Sequence, residues 1–264
     1  MQKKTWLIPF YSAVCGAIGM FLHWMQQLSN YEEDTGLFTR GSATSGFLIF
    51  ACIAFTAVLY VLVRVYLGTP AHYDVATSVR TKDILLFAVA TLAGLIMIVG
   101  GIIMFFGSKN TSSPGITKFL AVFAVVCGLC FPGMAAGTGT DKPTSFHCLC
   151  SAVPVLMCLY WLIVQYKLFA YNPEIWLYAF DILAVSASTL SFYFIAGFFF
   201  GCAKPRNTVF FSQLAVFLCL VDLINKAQSG YSVMMFACAL VQAMFSWVIV
   251  RNCVRTEKQS SSES

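Results

Sequence analysis

Charge is scarce in this sequence. Only 10% of its 264 residues are Asp, Glu, Lys or Arg, while 59% are apolar. A soluble globular domain carries about 25% charged residues, because its surface must be hydrated. With a mean hydropathy of +0.80, the chain lacks the polar groups to cover a water-facing surface. That excludes a soluble domain and leaves lipid as the solvent. Basic runs are missing as well. Lys and Arg number 16 against 11 acids, yet no three stand together, so the net charge of +5 carries no nucleic-acid signature.

Further absences narrow the chemistry. His23, His72 and His147 are the only histidines. They fall on different segments without H-x-x-x-H or H-E-x-x-H spacing, so neither a metal nor another cofactor is expected. Gly137-Thr-Gly-Thr-Asp-Lys142 lacks the spacing of a phosphate loop, and Pro143 follows its lysine; it reads as a turn. Cys127-Gly-Leu-Cys130 is a C-x-x-C, but a membrane thiol relay is fed by cysteines of an external loop, and the external loops expected here hold none. Nearly all of the eleven cysteines lie inside or at the edge of apolar stretches, where free Cys packs as a small hydrophobe. With no nucleophile–base pair in view, the chain is not expected to be an enzyme. The first apolar run has no A-x-A cleavage site, and bulky Val14 before Cys15 argues against lipoprotein processing, so it reads as an uncleaved first span.

What the sequence does contain is long apolar stretches. A helical span needs about 20 mainly apolar residues. Eight stretches qualify, at 5–28, 43–66, 84–107, 116–136, 145–167, 174–200, 207–225 and 231–250. The expected fold is all-α, a polytopic membrane helix bundle of about eight transmembrane helices. It has seven if one of the shortest stretches, 116–136 or 207–225, does not cross. Residues 1–255 form a single transmembrane domain and 256–264 a disordered polar tail. The lipid bilayer is then the first partner, and the connections are too short for a soluble domain.

Basic residues orient such a bundle. With the N-terminus inside, Lys3, Lys4, Arg64, Arg80, Lys82, Lys142, Lys204, Arg206, Arg251, Arg255 and Lys258 are cytoplasmic. Only Arg40, Lys109, Lys118, Lys167 and Lys226 are external. Both termini are therefore expected in the cytoplasm, and the chain in the cell membrane. Trp6, Trp24, Trp161, Trp176 and Trp247 mostly sit near span ends, as in an aromatic belt. Asn110-Thr-Ser is a glycosylation sequon in an expected external loop. Pro154, near the middle of the fifth span, removes a backbone hydrogen bond and predicts a kink.

Polar residues at membrane depth carry the remaining information. A charge at the bilayer centre costs about 2.5–3.5 kcal/mol on insertion scales, so such residues face a bundle interior or a cavity. Asp181 aligns at helical spacing with Ala184, Ser188 and Ser191; Asp222 lies on a stripe with Ser212, Ala215, Cys219 and Lys226. Ala239, Gln242 and Ser246, and His147, Ser151, Pro154, Cys158 and Gln165, form two more. Such stripes mark the faces where helices meet. In the expected topology His23, Gln26, Gln27, Gln165, Lys167, Glu174, Asp181, Asp222, Asn225 and Lys226 share the outer half, which suggests a pocket open outward. A plainer account stands beside it: Lys226 pairs with Asp222 four residues earlier, Glu174 caps the sixth helix, and the stripes only hold helices together.

The stretch Phe21-Leu-His-Trp-Met-Gln-Gln-Leu-Ser-Asn-Tyr-Glu-Glu-Asp-Thr-Gly-Leu37 resembles a signature of a group of uncharacterised bacterial multi-pass membrane proteins. In these a first span ends in a Trp-bearing polar turn and an acidic Asp-Thr-Gly-Leu segment. His23 stands in place of an arginine, and Phe38-Thr-Arg in place of a proline-containing turn. The resemblance implies a bacterial cytoplasmic membrane and external exposure of Glu32 to Leu37. Physically, Asp34-Thr35-Gly36 reads as a turn.

Two functions fit these features. The first is a small-solute permease, or the membrane component of a transporter. Asp181 and Asp222 would be its binding or proton-coupling carboxylates, and His23, Gln26, Gln165, Glu174, Lys226 and Gln242 would complete the set. The second is a non-catalytic sensor, assembly factor or partner subunit, joined to another membrane protein or to its own copies. No internal repeat, the best pointer to a transporter fold, is evident.

Overall fold

The computed structural model describes residues 6–30, 43–67, 81, 83–108, 113–140, 143–169, 175–224 and 229–260. Long apolar runs form helices here because lipid offers no partner for backbone N–H and C=O groups. The helices are α1 (Leu7–Asn30), α2 (Ala43–Tyr66), α3 (Ile84–Gly107), α4 (Pro114–Gly137), α5 (Ser145–Phe169), α6 (Ile175–Phe199), α7 (Pro205–Asp222) and α8 (Ser229–Ser260). No strand occurs among the described residues. Proline begins both α4 and α7, where its missing N–H costs nothing. Within the helices, Pro132 and Pro154 interrupt neither α4 nor α5.

Consecutive helices run antiparallel. The Tyr11 hydroxyl donates to the Phe55 carbonyl (3.2 Å) at one end of the α1–α2 pair, and Gln26 donates to Ser45 (2.8 Å) at the other. Cys148 near the start of α5 donates to the Phe199 carbonyl at the end of α6 (3.3 Å), and Gln213 of α7 bonds Ser246 of α8. Leu7 and Arg251 therefore lie on one face of the bundle, called here the N-terminal face.

Among the described residues, seven of the eight helices are long and apolar enough to cross a membrane, which makes this a multi-pass membrane protein. The exception is α7, with 18 residues and Arg206, Asn207, Gln213 and Asp222 among them. At 1.5 Å per residue it is about 27 Å long, close to the roughly 30 Å hydrocarbon thickness. Its neighbours explain its composition. It packs against α1, α2, α6 and α8, twelve of its 18 residues are buried, and none of its large hydrophobic side chains is exposed. Around it, α1 to α6 turn Phe, Leu, Ile and Val outward as a lipid-facing surface. The helix in the short stretch at 207–225 thus turns none of its large hydrophobic side chains outward.

Small residues set the closest contacts. On α3 and α4 the backbones meet at Gly94 and Gly128. A Cβ built on Gly128 would lie 2.6 Å from the Gly94 carbonyl oxygen, so neither position has room for a side chain. On the N-terminal face, Arg251 of α8 pairs with Asp83, the residue just before α3, donates to Thr81 Oγ1 (3.2 Å), and lies over the Trp247 ring at 5.0 Å. Thr81 in turn donates its N–H to the Thr138 carbonyl at the end of α4 (3.1 Å). One network thus holds three helix ends.

Two expectations need correction. Trp161 is not part of an interfacial belt: it is among the largest fully buried side chains and stacks on Tyr231 at 5.6 Å. Residues 256–260, expected within a disordered tail, continue α8 as helix. Glu, Lys and Gln there are good helix formers. The sequon at Asn110 and the acidic turn at 31–37 lie outside the described residues.

Candidate functional site

The four polar stripes face inward, as helical spacing predicts. Along α6–α7, Ser191 and Ser212 share a hydrogen bond of 2.8 Å, and Ser188 meets Cys219 at 3.5 Å. One or two turns further along the same antiparallel interface, away from the N-terminal face, the Asp181 and Asp222 side chains come within reach of each other. Both side chains are buried, Asp181 at 7% exposure and Asp222 at 2%.

A hydrogen bond between two carboxyl groups requires a proton on one of them, because a carboxylate only accepts. Sharing one proton would leave such a pair at most one negative charge. That lowers the cost of placing two acids within the bundle.

His23 of α1 stands beside the pair. Its Nδ1 donates to the Val221 carbonyl (3.1 Å), its ring lies 5.0 Å from that of Phe180, and Asp222 is within electrostatic reach. The carbonyl fixes the proton on Nδ1. Nε2 is left as the acceptor, with Gln27 Nε2 at 3.5 Å. Gly19, one turn earlier, lets α1 approach α7: a Cβ there would lie 2.6 Å from Val221 Cγ2.

Tyr231, at the start of α8, is within electrostatic reach of Asp181. Its hydroxyl is buried without a hydrogen-bond partner among the described residues, as are Trp161 Nε1 and Gln165 Oε1. Gln165 sits one turn beyond Trp161 on α5, level with Asp181. Five helices thus bring polar groups to one level of the bundle, away from the N-terminal face.

Of the residues expected at a site, the structure gathers His23, Asp181 and Asp222, with Gln165 at the same level. Gln26 is next to them on α1 but is used in the Ser45 bond that joins α1 to α2. Gln242 is elsewhere. It lies eleven residues past Tyr231, about 16 Å along α8, fully buried with neither amide atom bonded among the described residues. Glu174 and Lys226 lie outside the described residues. Tyr231 and Trp161 were missed from sequence, although Trp161 stands one turn from Gln165 and away from the span end.

The C-x-x-C of α4 is not a facing pair. Cys130 contacts Cys150 of α5, whereas Cys127 packs near Cys238 of α8. No disulfide joins the described cysteines, and no three of the described His, Cys, Asp and Glu residues gather as metal ligands. No family model, curated protein or solved structure matches the chain.

Proposed function

We propose that this multi-pass membrane protein is a small-solute permease, or the membrane component of one. In this reading the Asp181–Asp222 pair takes up and releases a proton coupled to the solute. The observation that carries it is the contact of two carboxyl groups between buried helices, a costly arrangement that packing alone does not require. His23, with Nε2 as acceptor and Asp222 within electrostatic reach, would receive a proton that leaves Asp222. Tyr231 and Gln165 add polar groups for a solute. The basic residues favour an N-terminal face in the cytoplasm of the cell membrane, with the carboxyl pair in the outer half.

Proteoliposomes loaded with a pH-reporting dye test this proposal, with small solutes offered at two external pH values. At least one solute should move protons through the wild type and not through Asp181→Asn/Asp222→Asn. No proton movement with any solute, from a helical and monodisperse protein, would favour the second reading.

That second reading is a partner subunit of another membrane protein. Its support is α2, which buries only Leu48, Ala51, Leu59 and Val63 of its 24 residues and presents an otherwise apolar face.

A further inference from the structure

A groove of about 400 Å³ lies between α5 and α6 at the N-terminal face of the bundle. It exists because Ala152, Ala196 and Gly197 leave space where the two helices would otherwise fill it. Leu156, Tyr193 and Phe200 line it and are more than half exposed, so it opens sideways to lipid and not into the bundle. Its volume is within the usual range of small-molecule sites, about 300–1,000 Å³.

One end of the groove is not apolar. The lining includes Lys204, which is exposed, and no carboxylate. Lys204 is also the residue from which α7 starts, without a side chain capping its first turn. Arg206 follows, its Nε buried with no hydrogen-bond partner among the described residues. An apolar slot that ends at a cation, at the depth where helices leave the membrane, matches an amphiphile with an anionic head.

We propose that the α5–α6 groove binds an anionic phospholipid, one acyl chain in the slot and its phosphate on Lys204. The site is remote from the carboxyl pair and does not depend on the permease reading. Its occupant is drawn from the bilayer itself, since the slot opens where acyl chains already lie. The lipid would seal the gap between α5 and α6 and secure the start of α7.

The test uses the full chain in phosphatidylcholine nanodiscs doped with a trace of photoactivatable lipid, either phosphatidylglycerol or phosphatidylcholine. Labelled peptides are identified by mass spectrometry. The phosphatidylglycerol probe should label α5 and α6 peptides about fivefold more than the phosphatidylcholine probe, the ratio expected for one basic residue against an anionic lipid. Lys204→Gln should remove that preference and Lys204→Arg should keep it. Leu156→Trp, at an exposed position where folding is not at stake, should block the slot and reduce labelling by both probes. Equal labelling by the two probes, a preference that survives Lys204→Gln, or labelling that Leu156→Trp leaves intact would each overturn the proposal.

Discussion

Asp181 and Asp222 meet across the antiparallel α6–α7 interface, on the same line as the Ser188–Cys219 and Ser191–Ser212 contacts. The two acids are therefore one unit. Small side chains on both helices bring the backbones close, and the two acids follow the serine and cysteine contacts along the same line.

If the acids share a proton, replacing either by Asn keeps a hydrogen bond, because an amide both donates and accepts. Single Asn variants should fold with stability within about 1 kcal/mol of wild type. A double-mutant cycle should return a coupling of about 0.5–1.5 kcal/mol, the range seen for hydrogen bonds between membrane helices. Asp222→Leu should cost more than Asp222→Asn, since it leaves Asp181 facing an apolar group. Denaturant titration in mixed micelles measures all four.

Gly128→Leu should lower stability by more than about 2 kcal/mol, because any side chain there strikes the α3 backbone. Gly46→Ala is the control. A Cβ on Gly46 meets nothing within 4 Å, so that substitution should be neutral or stabilise α2 by about 0.5–1 kcal/mol. Thermal melts followed by circular dichroism separate the two.

Arg251→Ala removes the pairing with Asp83, the Thr81 bond and the contact with Trp247 together. The ion pair is about one-third exposed, so by itself it contributes at most about 1 kcal/mol. The whole network should contribute about 1–2 kcal/mol. Asp83→Asn should cost less than Arg251→Ala, and high salt should narrow the gap between wild type and Asp83→Asn.

Cys202, just before α7, is the one exposed cysteine. A membrane-impermeant maleimide should label detergent-solubilised protein chiefly there, and Cys202→Ser should abolish the main adduct. In intact cells the same reagent should leave Cys202 unlabelled until the membrane is opened, which tests the cytoplasmic placement of the N-terminal face.

Hydropathy alone located α2 and α3 to the residue, because both stretches are uninterrupted apolar runs bounded by polar ones. It was weakest at α7, where the relevant surroundings are other helices and not lipid. Polar periodicity found Asp181, Asp222 and the stripes that bury them. It could not tell that Gln242 lies far from that pair, since two stripes share a rhythm without sharing a level. Tyr231 escaped notice because a tyrosine near a span end ordinarily reads as an interfacial anchor. Its stacking on Trp161 depends on how α5 and α8 face each other, which no single stretch of sequence encodes.

The concealment of α7 also bears on how the protein is made. A segment of 18 residues with an arginine at one end and an aspartate at the other gains little by entering lipid alone. Its place in the membrane depends on α1 and α6, synthesised before it, and on α8, synthesised after. Until α8 emerges, one flank of α7 has no cover and its polar residues face acyl chains. Biogenesis of the bundle is in this sense completed from its C-terminal end. Shortening α8 should then endanger the insertion of the helix before it as much as its own.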